Sequence, residues 1–372
     1  MNDKKNRMMG RSTAPLPSLK SLQSAAIAQA QGLSAPDAHA VEPTDLPIGQ
    51  IAPDPIQPRR ALPDLYRARW CAGELLPDVL AEWGHEATVQ RDALGFSTPW
   101  EAWLHLDDTP LIDPSLKMPP ALRLWLDLLR LAGSIYRDGL AVPITVYQDA
   151  RGYRLLMGER RLLAFWLLYE MGYDQFAHIP ALVHDSYNPI AQAAENGARR
   201  NLNAISIARQ LAVLLMVVNG IDVGNDTAQA NQAWYAQALD LQVPSGEGEA
   251  LATVLGLKNP RQISHYRRLL ALPRVVWNWA DEFDWTEGKI RGMVNRAATE
   301  DALIDLAQAE ATKELGGTPK PTALPDRMST RLYDRMERAM VATLTNEKAL
   351  QSLTDAQRRR LRDLAKDLLK RL

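Results

Sequence analysis

The strongest constraint on the fold is a change of hydrophobic period between Pro120 and His184. From Pro120, the residues Leu122, Leu126, Leu129 and Ile135 recur at helical spacing until Gly139 ends the run. The runs ITVYQ and GYRLLM then read as two strands separated by a turn from Asp149 to Gly152. A helix is predicted from Glu159 to Met171, followed by the short strand IPALVH. Helix, strands, helix and strand in this order imply a small α/β domain.

The strand signal ends there. Asn188-Pro189 has the form of an N-cap with proline at the first helical position. Beyond Asn201, Ile205, Ala208, Ala212 and Leu215 give an apolar stripe, and the chain to Ala311 reads as helices apart from Gly- and Asn-rich loops. On the amino-terminal side, LPIGQIAPDPIQPRR holds the first strand-like pattern, around Ile48 and Ile51. The expected class is therefore α+β and mostly helical, with an α/β domain at 46–200 that carries a helical insertion at 61–120. An all-helical domain follows at 201–311, then a Gly- and Pro-rich linker at 312–327 and a helical segment at 328–372. Residues 1–45 read as a flexible basic tail, with Lys4, Lys5 and Arg7 against Asp3. Two or three modules suit a length of 372 residues.

Composition narrows the chemistry. The 43 Lys and Arg nearly balance the 44 Asp and Glu, so any nucleic-acid surface must be a local basic strip. Cys71 is the single cysteine, which excludes an internal disulfide framework and a Cys-rich zinc site. No apolar run approaches 18 residues and the amino end lacks the apolar centre of a secretion signal. A soluble, cytoplasmic protein without membrane contact is expected.

Two segments suit a polyphosphate. In MGERRLLAF, Gly158 permits close backbone approach at a strand-to-helix junction, and Arg160 and Arg161 add positive charge beside the helix N-terminus. A plain turn with two solvated arginines fits the same residues. In AAENGARRNL, Glu195 and Asn196 offer oxygen ligands of the kind magnesium accepts, with Arg199 and Arg200 a turn further on. An i, i+4 ion pair between Glu195 and Arg199 is the alternative.

The segment LATVLGLKNPRQISHYRRLLALP, residues 251–273, has the form of a helix-turn-helix whose second helix begins at Pro260. On that helix Ile263, Tyr266 and Leu270 share one side, and Arg261, His265 and Arg268 the other. Between Lys258 and Arg274 there are five basic residues and no acid. Lys258, Arg267, Arg268 and Arg274 are candidates for phosphate contacts and the basic face, and Arg261, Gln262, Ser264 and His265 for base edges. A helical hairpin with a solvated basic face is the competing reading. At the carboxyl end, Leu361, Leu364, Leu368 and Leu372 recur at a/d-like spacing, which suits self-association.

Taken in order, six segments resemble the ParB family of chromosome and plasmid partition proteins: IAPDPIQPR at 51–59, LAGSIYRDGLAVPITV at 131–146, GERRLLA at 158–164, ENGARRNL at 195–202, the helix-turn-helix closing on LLALP at 269–273, and TEGKIRGMV at 286–294. The resemblance implies a ParB/sulfiredoxin-like amino-terminal fold that binds CTP and magnesium, loading at a centromere-like site on double-stranded DNA, and closure into a clamp. It also implies a homodimer and, for the basic tail, a ParA-type ATPase partner on the nucleoid. By the same resemblance Gly158, Glu159, Arg160 and Arg161 contact the triphosphate, and Gln57 and Arg59 belong to the loop that flanks the nucleotide. Glu195 and Asn196 hold magnesium or assist hydrolysis to CDP, with Arg199 on phosphate. This chain departs from the family in its long stretch between QPR and LAGSI, and at Val142, Asn201 and Ser206, where glutamine, aspartate and glutamate are common. Those departures keep a second expectation in view, a ParB-like transcriptional regulator without nucleotide turnover. A sulfiredoxin-like reductase is the weakest fit, because Cys71 lies in the insertion, outside the phosphate-binding segments.

Overall fold

The computed structural model describes residues 42–95, 99–104, 117–149, 152–198, 202–223 and 230–316, without the side chains of residues 103, 195 and 198. Two units divide the chain, Met1–Gly317 and Thr318–Leu372, and every described residue belongs to the first. The tail to residue 41, the segment 328–372, Arg199 and Arg200 lie outside the described residues.

Five short strands form one mixed sheet in the order β1-β5-β3-β4-β2. They are β1 Thr44–Pro47, β2 Ile51–Ala52, β3 Ile144–Asp149, β4 Gly152–Met157 and β5 His178–His184. β3 and β4 are the antiparallel pair expected from ITVYQ and GYRLLM, and β3 runs parallel to β5. The edge strands come from the Pro-rich opening segment: β1 is antiparallel to β5 and β2 parallel to β4. Against the sheet pack α4, Pro120–Asp138, and α5, Glu159–Glu170. Gly139 ends α4 with φ of 77°, a left-handed value that glycine adopts at little steric cost.

The insertion is helical, with α1 Asp64–Cys71, α2 Leu76–Ala93 and the single turn α3 Trp100–Trp103. It is continuous with the core of the sheet: Trp70, Val79, Leu80 and Trp83 are buried in one cluster with Leu129, Val146 and Leu163. Trp83 meets Trp125 of α4 edge-on, with ring centroids 4.9 Å apart, and its indole donates to the Ala121 carbonyl at 3.2 Å. Gly84 makes the approach possible, since a Cβ there would lie 2.9 Å from the Trp125 ring.

No strand occurs among the described residues after β5. The helices are α6 Pro189–Ala198, α7 Ala204–Val218, α8 Gln232–Ala236, α9 Gly248–Val254, α10 Arg261–Leu269, α11 Arg274–Glu282, α12 Glu287–Arg296 and α13 Glu300–Glu314. The last runs past Ala311 into the stretch read as linker. Asn188 caps α6 as its sequence suggests, its Oδ1 accepting from the Ile190 and Ala191 amides. The nearly wholly buried α7 is the axis on which α10 and α11 pack. The mostly helical α+β class is therefore what the chain adopts. No helix among the described residues is long and apolar enough to cross a membrane.

Candidate functional site

β4 ends at Met157, and Gly158 turns the chain into α5 with φ of 100°. A Cβ at that position would lie 2.8 Å from Ile144 Cγ2, so both the backbone and the packing require glycine. The open end of α5 faces a cleft of about 290 Å³ lined by Gln57, Arg59, Ala61, Leu131, Met157, Gly158, Glu159, Arg160, Arg161 and Asn196. Three segments well separated in sequence, Gln57 and Arg59 of QPR, the GERR run and Asn196, thus meet around one concavity. A larger cleft of about 560 Å³ shares Arg59, Ala61 and Arg160 with it and extends to Asn203, Tyr266, Asp281 and Thr286.

A buried polar network holds these segments together. The Glu159 carboxylate, 4% exposed, accepts from the Ala61 amide at 2.9 Å and from Arg67 Nε at 3.3 Å. Arg67, fully buried on α1, also donates to the Asp54 carbonyl. The Asp54 carboxylate accepts from the Ile56 amide at 3.0 Å and from Gln192 Nε2 at 2.9 Å, and Gln192 reaches Gln57 and the Leu156 carbonyl as well. Burial pushes the Asp54 carboxyl up to about 6, against the opposing pull of its Gln192 hydrogen bond and the Arg67 charge. On the far side of the same loop, Arg209 of α7 donates to Asp281 at 2.5 Å and to the Pro58 carbonyl at 3.4 Å. Burial, together with Asp64 and Asp281, raises the Glu282 carboxyl to about 7.

Each predicted phosphate-side residue can now be placed. Gly158 sits at the mouth of the α5 N-terminus. Glu159 is turned into the protein, where it closes the ion pair with Arg67. Arg160 and Arg161 line the cleft while donating to carbonyls of Asp127 at 3.1 Å, Val142 at 2.7 Å and Pro143 at 2.5 Å. Asn196 is 5% exposed and lines the cleft, and its Nδ2 has no hydrogen-bond partner among the described residues. A buried amide nitrogen in that state calls for an acceptor. A left-handed glycine, an open helix end and an unsatisfied donor fit a phosphate group.

The second constellation is one face of α10. α9, a turn at Gly256 and α10 form the expected helix-turn-helix, with Ile263 buried and Arg261, Ser264 and Arg268 exposed. Lys258 lies in the turn, its amide accepted by Gln262 Oε1 at 2.7 Å, so Gln262 is folded back on the helix start. His265 is half-buried, with Nδ1 3.2 Å from Arg291 of α12. Arg267 is also half-buried and donates to the Leu241 carbonyl at 2.8 Å, and Arg274 opens α11. The exposed part of this face is therefore narrower than the basic strip in sequence. What the sequence reading missed is the network below the cleft: Arg67, Asp54, Gln192 and Arg209. Gln192 alone carried a signal, as one amide in the small apolar run PIAQAA.

No protein-family model matches the chain. Over 114 residues, 30% of its length, it is 33% identical to a probable plasmid-partitioning protein ParB from Xylella fastidiosa (strain 9a5c), and the matched stretch is 27% of that protein's length. Two crystal structures of the C-terminally truncated chromosome-partitioning protein ParB from Caulobacter crescentus also align. The complex with CTP-gamma-S is 18% identical over 72% of this chain and 97% of that one, with a TM-score of 0.21. The complex with the centromeric parS site is 17% identical over 73% and 97%, with a TM-score of 0.29. Overall superposition at these scores is poor. Over those 114 residues, then, the chain is similar in sequence to one ParB partition protein, of the family its ordered motifs resemble.

Proposed function

We propose that this chain is a site-specific DNA-binding partition protein that takes CTP and magnesium in the smaller cleft and acts as a clamp on DNA in plasmid or chromosome segregation. The observation that carries the reading is the meeting of QPR, GERR and Asn196 around one cleft with an unsatisfied buried donor. Gly158 and the α5 N-terminus would receive the phosphates, with Arg160 and Arg161 leaving their carbonyl partners for phosphate oxygens. Asn196 and Glu195 would hold magnesium beside those oxygens, an ion that keeps most of its waters and needs few protein ligands. When bound, magnesium neutralises charge on the triphosphate and supports its hydrolysis. On α10, Arg261, Gln262, Ser264 and His265 would read base edges, with Lys258, Arg267, Arg268 and Arg274 on the backbone. The basic tail is assigned to a ParA-type ATPase, residues 328–372 to dimerisation, and the protein to the nucleoid in the cytoplasm.

Titration calorimetry of the full chain with each of the four NTPs, with and without magnesium and DNA from the gene's neighbourhood, tests this. CTP should bind in the micromolar range, and phosphate release should follow DNA addition. Heat with no nucleotide at all would reject it. In that case the regulator without a nucleotide cycle takes its place, and one feature favours that version: Arg160 and Arg161 already hold backbone carbonyls in the described structure.

A further inference from the structure

The larger cleft, about 560 Å³, has the size of a small-molecule site. Apart from Arg59 and Arg160, none of its lining residues is assigned to nucleotide or DNA. One wall is the junction of α11 and α12, from Asp281 to Glu287. Asp284 shapes that junction: it is the one non-glycine residue among those described with φ in the left-handed region, at 52°. Its carboxylate accepts from Arg123 at 3.0 Å and from Asn203 Nδ2 at 3.1 Å.

Charge in this cleft is matched at every carboxylate but one. Asp64 pairs with Arg60 at 2.6 Å, Asp281 with Arg209 at 2.5 Å and Asp284 with Arg123 at 3.0 Å. Asp127 pairs with Arg130 at 3.3 Å and Glu287 with Arg291 at 3.5 Å. The Glu282 side chain is exposed and has no hydrogen bond or ion pair among the described residues. The charged side chains that act on it, Asp64, Asp281 and Glu86, are all acids. The cleft therefore offers a carboxylate to a cation and supplies no cation of its own.

Two buried donors on the same wall lack an acceptor. Trp285 is 2% exposed, and its Nε1 has no hydrogen-bond partner among the described residues. The Arg60 side chain is 5% exposed; Nη1 and Nη2 serve Asp64 and the Ala230 carbonyl, and Nε is left unpartnered. Buried donors in this state call for an oxygen. The Trp285 ring is already engaged by Phe283, stacked at 6.1 Å, and by Lys289 Nζ at 5.2 Å, which leaves its N–H for a ligand. A metal is the wrong cation, because among the described residues no group of three or more His, Cys, Asp and Glu could hold one. A plain diamine would satisfy Glu282 and leave both donors unmet.

We infer that the larger cleft is a second ligand site, for a small primary amine that also carries hydroxyl or carbonyl oxygens, its ammonium on Glu282 and an oxygen on Trp285 Nε1 or Arg60 Nε. No group of the nucleotide cleft is needed for this. The probe is aminopropanediol, titrated into the full chain at about pH 8, above the value of about 7 to which Glu282 is raised. The Trp285 indole N–H signal, assigned by its loss in Trp285→Phe, should shift saturably in NMR spectra with a Kd of about 1 mM. Glycerol has the oxygens without the charge and diaminopropane the charge without the oxygens, so each should bind at least about tenfold more weakly. Glu282→Gln, a substitution at an exposed position, should weaken aminopropanediol by about tenfold. It should leave the urea midpoint unchanged and keep the Kd for a DNA duplex, enriched from random sequence by the chain itself, within about twofold of wild type. A Trp285 signal that does not move with aminopropanediol overturns the inference on the wild type alone. An equal response to glycerol overturns it as well, and so does undiminished binding in Glu282→Gln.

Discussion

The cleft and the exposed face of α10 solve opposite problems of placement. In the cleft, polar groups from Gln57 to Asn196 converge from segments far apart in sequence, and the side chains that hold them, Arg67, Asp54 and Gln192, are buried almost completely. On α10 the groups come from one nine-residue helix, and Arg261, Ser264 and Arg268 stand in solvent on a scaffold of apolar contacts. A convergent site needs its charges paired inside the protein, where an unpaired charge is expensive. A contiguous face needs only that its helix be packed on the other side. Changes below the cleft should therefore alter folding and function together, whereas changes on α10 should separate them.

The largest test of that contrast is Arg67. Its guanidinium is fully buried against Glu159, so Arg67→Ala leaves a carboxylate without its charge partner and should cost about 3–5 kcal/mol in a urea titration. Replacing both members, Arg67→Met with Glu159→Leu, should recover most of that loss, because apolar substitutes of similar volume often match a buried pair. The double variant should nonetheless fail to bind nucleotide. A single-variant loss below about 1 kcal/mol would place Arg67 with ordinary surface arginines and dissolve the contrast.

Asp54 gives a smaller effect with a definite sign. Its carboxyl is held at about 6 in the folded protein against an ordinary 3.8. Between those values the folded state keeps a proton that the unfolded chain has lost, so this contribution is complete below about pH 4 and disappears as pH rises through 6. At about 1.4 kcal/mol per unit the contribution reaches at most about 3 kcal/mol. Glu282, raised to about 7, acts in the same sense at slightly higher pH. Other carboxylates act oppositely, as Glu310 does beside Lys289, so the readout is the difference between wild type and Asp54→Asn. That difference should change across pH 4 to 6 in urea midpoints. A constant offset would mean that Asp54 is already ionised throughout.

These residues also mark where the sequence stopped being informative. Helix-strand order from 120 to 184 was legible because the two periods differ, and the helix-turn-helix because its parts are contiguous. Arg67 and Arg69 stand in one motif, LYRARWC, and look alike. Two residues along a helix is a rotation of about 200°, which sends Arg67 under the cleft and Arg69 outward to Glu74 and Glu82. Which face of α1 is inward depends on α2, α4 and the loop at 53–61, and no pattern within α1 encodes that. The insertion was readable as helices for the same reason that its role was not. Its tryptophans announce a core without saying that the core is the one under the sheet. Gly197 reads in sequence as a weak helix former, and only the approach of the Gly256 turn explains why a side chain is missing there.

The smallest expected change in stability belongs to the exposed face of α10. Arg261 is exposed at the first position of α10, where its loss uncovers no charge and opens no cavity. Arg261→Ala should leave the unfolding free energy within about 0.5 kcal/mol of wild type. If its guanidinium reads a base edge, the same substitution should weaken binding to the enriched duplex by about 1–3 kcal/mol and leave nonspecific binding nearly unchanged. If Arg268 on the same face holds the DNA backbone, Arg268→Ala should weaken both DNAs alike and lower the salt dependence by about one counterion. Fluorescence anisotropy at several salt concentrations separates the two patterns. Equal losses on both duplexes for Arg261→Ala would move it from reading the sequence to holding the backbone, and the base contacts would then have to come from His265 and Ser264, nearer the middle of the helix.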